Sequence, residues 1–210
     1  MTMPRLMDMG LVRLSSAISD MGTLAQDSVL KAIRAYAQGE QITQEALDRS
    51  KQLSNLANEV EELAVDLLAR YQPVATDLRF IKSCLEIAYG FSRFGRYAYD
   101  IAQVLEIFGD VSECDKTVVD ELGEKVEQMI QTSIESFKTR NIQLARSLRQ
   151  EDDQVDQVYL DYIKDITKDK TIPVKCALAS TLVLRYLERI ADHACYIGDS
   201  VTYIVTASKA

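Results

Sequence analysis

The chain has 210 residues, 47% of them hydrophobic, enough for one or two domains whose core needs no covalent staple. Its 24 Lys and Arg stand against 32 Asp and Glu, a formal net charge of -8 with no basic cluster, which excludes the footprint of a protein that grips a nucleic-acid backbone. Eight Gly, three Pro and no Trp leave little to interrupt helices, so the expected fold class is all-α.

The opening stretch, MTMPRLMDMG, lacks the apolar core of a secretory signal. From there apolar residues recur every three or four positions, the period of a helix buried along one face. The first segment runs to a break near Gly39, the second to Tyr71-Gln72-Pro73, the third to Gly109-Asp110 and the fourth to Asn141. The fifth ends at Thr171-Ile172-Pro173, and the sixth shows the stripe best: Leu187, Ile190, Ala194, Ile197, Val201, Ile204. Six segments of roughly 25 to 35 residues with short connections predict antiparallel helical bundles.

The longest weakly polar run, Cys176 to Leu184, lies between Lys175 and Arg185 and falls far short of the roughly 20 residues that span a bilayer. The chain is therefore expected in the cytoplasm, meeting a membrane only through partners. Cys84, Cys114, Cys176 and Cys195 show no Cys-x-x-Cys spacing and read as reduced, mostly buried thiols.

Pro73 and Pro173 each separate two amphipathic segments, as an internal repeat would have them do. SRFGRYAYDIAQV (Ser92 to Val104) lines up with ERIADHACYIGDS (Glu188 to Ser200), and LDRSKQLSNL (Leu47 to Leu56) with LRQEDDQVDQV (Leu148 to Val158). The predicted architecture is two tandem three-helix bundles, residues 1–108 and 109–210.

The chemistry concentrates in the second. Asp152 and Asp156 precede Pro173 at nearly the distances by which Glu188 and Asp192 follow it. In an antiparallel pair, equal arms put residues at one level, and i, i+4 spacing puts each pair on one helix face. Four ionised carboxylates so gathered need bound cations, raised pKa values, or side chains turned apart into water. Such an oxygen set suits hard or borderline cations and offers no thiolate or imidazole to select zinc. With 32 acidic residues in the chain, a solvated acidic face is the competing reading. His193 stands one position from Asp192, about 100° round a helix, and is not counted as a ligand.

The run Arg70-Tyr71-Gln72-Pro73-Val74-Ala75-Thr76-Asp77-Leu78-Arg79 resembles the inter-helix signature of the PhoU family, and Leu187-Glu188-Arg189-Ile190-Ala191-Asp192-His193-Ala194 resembles its second-repeat signature. The resemblance implies surface metal clusters held by acidic pairs on two adjacent helices of each bundle. Here it points to Asp152, Asp156, Glu188 and Asp192, with Asp153 and Asp199 as lesser candidates, while Tyr196 replaces an expected Asn. Iron is the metal implied first, with manganese, zinc or magnesium as alternatives.

The first bundle departs from this pattern. Ser50, Ser54, Ser92 and Arg96 occupy the matching places, so a single site is predicted, with Asp100 placed to pair with Arg96. The resemblance further implies a homodimeric negative regulator of phosphate uptake. Its expected partners are the ATPase subunit of a phosphate ABC transporter and a sensor or regulatory protein.

Two alternatives compete: a metal-free helical scaffold, and a carboxylate-metal oxidase. The oxidase needs Glu-x-x-His pairs on two helices, which a chain with one histidine, preceded at that spacing by Ile190, cannot supply. No nucleophile elbow accompanies His193 either, so no enzyme is expected.

Overall fold

The computed structural model describes residues 6–208. Six helices fill them: α1 (Leu6–Gln38), α2 (Thr43–Tyr71), α3 (Ala75–Phe108), α4 (Thr117–Thr139), α5 (Ile142–Lys168) and α6 (Val174–Thr206). Each break read from the sequence is a helix end. Gly109 closes α3 at φ 66°, a conformation that costs glycine nothing. Gln72 and Arg140 close α2 and α4 in the left-handed helical region, also at positive φ but without that freedom, at about 1 kcal/mol each. The Arg140 guanidinium offsets some of that cost by lying 4.7 Å from the Phe80 ring centre and 4.3 Å from that of Phe137.

The helix starts are equally local. The Asn141 side chain accepts hydrogen bonds from the backbone N–H groups of Gln143 and Leu144, capping α5. Pro173 sits immediately before α6, where a missing N–H is harmless.

α3 and α6 pack against each other at the centre, with α1 and α2 beside α3, α4 and α5 beside α6, and α1 also touching α4. The two halves share one core, which runs from Leu14 on α1 through Phe91 and Phe94 on α3 to Ile197 and Val201 on α6. α5 buries only Ala145, Leu148 and Val155, so its other faces are left for polar residues. At Gly198 an added Cβ would come 2.6 Å from the Ala145 carbonyl oxygen, so α5 and α6 approach closely there and hold their acidic turns at one level.

One expectation is overturned. Cys114 and Cys176 are joined by a disulfide across 62 positions, tying the α3–α4 connector to the first turn of α6. The topology brings these two sulfurs together because the connector and the start of α6 meet at the same end of the bundle, which no spacing rule can show. Cys84 and Cys195 are free and buried, as read from the sequence.

Candidate metal centre on the second repeat

Asp152 and Asp156 lie one turn apart on α5, Glu188 and Asp192 one turn apart on α6, and the four act on one another. Burial first, then repulsion from Asp192, Asp156 and Glu188, pushes the Asp152 carboxyl up to about 6, although the Cys195 thiol donates to it. Asp156 is raised by burial and by Asp192 and Asp153. Glu188 is raised by burial, against the pull of Arg185.

Two arginines answer part of this charge. Arg185 Nη1 donates to Glu188 Oε1, and Arg189 Nη1 donates to Asp192 Oδ2 at 3.3 Å. Arg189 Nε stands 3.8 Å from Glu188 Oε2, an ionic approach without a hydrogen bond. Asp152 Oδ1 and Glu188 Oε2 remain buried with no hydrogen-bond donor. Leaving such an oxygen without a donor costs about 1–3 kcal/mol, and only Glu188 Oε2 has a cation near it, the Arg189 guanidinium.

As they stand, no three His, Cys, Asp or Glu side chains among the described residues converge closely enough to hold an ion. Arg185 and Arg189 rest on the α6 pair, and both side chains are partly exposed. The set is made of the oxygen ligands that hard cations take, four carboxylates across two helices with two buried oxygens lacking a donor, but its present geometry does not gather three of them on one point.

The lesser candidates lie apart. Asp153 is exposed and enters only as a charge acting on Asp156. Asp199 accepts from Arg149 on α5 at 2.6 Å. His193 is buried, and its Nδ1 lies 2.9 Å from the Arg189 carbonyl; a carbonyl only accepts, so Nδ1 carries the proton. Its ring stands 5.6 Å from that of Tyr97 and 5.5 Å from that of Tyr196.

In the first repeat Arg96 pairs with Asp100 at 3.0 Å, and Ser92 donates to the Tyr89 carbonyl. Arg185, Arg189 and Cys195 also touch the carboxylates, and none of them belongs to the acidic pattern that marks the site in the sequence. The i, i+3 spacing of Arg185 to Glu188 and of Arg189 to Asp192 was the available signal for the arginines.

Comparison with known proteins adds to this geometry. A family model described as the PhoU domain matches residues 18–105 and again residues 119–201. The phosphate-specific transport system accessory protein PhoU homolog 1 of Methanothermobacter thermautotrophicus is 29% identical over 177 residues, 81% of this chain and 80% of that one. The PhoU homolog of Clostridium acetobutylicum is 27% identical over 213 aligned residues, 98% of this chain and 96% of its own. The crystal structure of PhoU from Pseudomonas aeruginosa superposes with a TM-score of 0.87 at 28% identity, covering 96% of this chain and 99% of that chain.

Proposed function

This chain belongs to the PhoU family, and we propose that it is a negative regulator of phosphate uptake that works by protein–protein contact, with a metal site on its second repeat. The phosphate-transport part of this reading is supported by relatives that carry the name of accessory proteins of a phosphate-specific transport system. The proposed partners are the ATPase subunit of the transporter and a sensor or regulatory protein, and the proposed place is the cytoplasm. No helix among the described residues is long and apolar enough to cross a membrane. Self-association as a homodimer belongs to the proposal and is supported by the exposed stripe Leu6, Met9 and Val12 on one side of α1.

The observation that carries the metal site is the pair of buried, donor-less oxygens on Asp152 and Glu188, within a set of four mutually repelling carboxylates. Asp152, Asp156, Glu188 and Asp192 would hold the metal. A bound cation supplies charge neutralisation and a tie between α5 and α6, and iron is the first candidate. Arg185 and Arg189 supply part of that neutralisation from within the chain, and this favours a second reading, a metal-free scaffold held by ion pairs. Either reading assigns the protein a binding role and no catalytic residue.

The regulatory reading is tested by deleting the gene and measuring uptake of labelled phosphate in phosphate-replete medium. Uptake is expected to rise several-fold and to return to the parental rate when the intact gene is restored. An unchanged rate in the deletion strain would remove phosphate regulation from the account.

A further inference from the structure

A second feature lies in the seam between α3 and α6: a cleft of about 510 Å³ walled by Leu85, Glu86 and Tyr89 on one side and Tyr196, Asp199 and Tyr203 on the other. Its size falls within the range of side-chain and ligand pockets, about 300–1,000 Å³. Tyr89 and Tyr196 are 61% and 57% exposed, an amount of aromatic surface typical of binding faces.

Each wall sets a carboxylate beside a ring, and each carboxylate already takes a cation from the edge. Lys82 pairs with Glu86 while its Nζ stands 5.4 Å from the centre of the Tyr203 ring. Arg149 reaches across from α5 to Asp199. The contacts inside the chain thus show the chemistry that the cleft accepts. Both cations are tethered at the rim, with side chains 42% and 60% exposed, so neither fills the space between the tyrosines, and such solvated pairs are weak enough to exchange. The second Glu86 oxygen is held by the Ser200 hydroxyl at 3.3 Å, which fixes that carboxylate against the wall.

We propose that this cleft docks an arginine-bearing segment of a partner protein. A guanidinium is flat and can stack on a tyrosine face while its edge forks to a carboxylate, two contacts that the compact lysine ammonium cannot make together. Glu86 and Asp199 disfavour an anionic occupant, and the net charge of -8 draws a basic segment toward the chain. The inference rests on the reading of this chain as a partner-binding regulator, and it requires no metal.

The test is a titration of the full chain with an acetylated, amidated pentapeptide carrying two arginines, beside its lysine and glutamate counterparts, followed by tyrosine ring resonances. Saturable shifts are expected for the arginine peptide, weaker ones for the lysine peptide and none for the glutamate peptide. Tyr89→Ala with Tyr196→Ala is expected to weaken binding about tenfold, and Glu86→Gln, which leaves the rings in place, to weaken it less. Undiminished affinity in both variants, equal affinity for the arginine and lysine peptides, or shifts caused by the glutamate peptide would overturn the proposal. So would a dimer that dissociates in the Tyr89→Ala, Tyr196→Ala variant, because a second copy would then be the occupant. A bare peptide probe separates this from the regulatory reading: failure here leaves the uptake result standing, and unchanged uptake leaves the cleft standing.

Discussion

Reducing the Cys114–Cys176 disulfide is expected to lower stability by about 4 kcal/mol, because the bond closes a long loop in the unfolded chain. For a chain of this length that corresponds to a fall in Tm of roughly 8–16 °C. The bond straps the α3–α4 connector, the covalent link between the two halves, to the first turn of α6, so its loss also frees the end of the bundle where the halves are joined. Both sulfurs are buried, and a reductant gains access only through local opening. Cys114→Ser should match the reduced protein and respond no further to reductant. Equal Tm values for oxidised and reduced protein, with the redox state verified by mass after thiol alkylation, would contradict this.

Asp152→Asn is expected to stabilise the metal-free protein at pH 7 and to abolish its metal binding, opposite effects from one substitution. The folded carboxyl titrates near 6 rather than near the usual carboxylate value, so between about pH 4 and pH 6 the folded chain binds more protons than the unfolded one. The Asp152 contribution therefore falls as pH rises through that window and stays low above it. The shift alone would correspond to about 3 kcal/mol, but the residue is only half buried and screening reduces this to on the order of 1 kcal/mol. Asparagine keeps the shape and cannot ionise. In urea denaturation of metal-free protein, the difference between variant and wild type should grow from near zero at pH 4 to its full value by pH 7. A difference that does not vary with pH would show that neither burial nor the neighbouring carboxylates raise the Asp152 carboxyl.

Much of this architecture can be read from one sequence because its determinants are local. Gly39, Gln72-Pro73, Gly109, Asn141 and Pro173 mark helix ends by backbone chemistry, and equal arms about Pro173 put Asp152 and Asp156 opposite Glu188 and Asp192 without knowledge of any other helix. What escaped the sequence depends on how separate helices meet. The disulfide joins residues far apart in the chain, and the tyrosine cleft exists only because α3 lies against α6. The arginines on Glu188 and Asp192 are an intermediate case: their spacing is local, but four carboxylates read as a set drew attention from the cations one turn away. The departure of the first repeat from the acidic pattern is also local: Arg96 stands where a carboxylate is expected and pairs with Asp100 one turn on.

The most direct test of a metal-binding second repeat is metal content by inductively coupled plasma mass spectrometry, on protein prepared without chelator or affinity-tag metal and supplemented in turn with iron, manganese, zinc and magnesium. Wild type should retain metal, the Glu188→Ala, Asp192→Ala variant should lose it, and the first-repeat Ser92→Ala, Asp100→Ala variant should keep it. No metal in the wild type, or equal metal in all three proteins, would contradict the site and leave the arginine-paired, metal-free scaffold as the description of this helix pair.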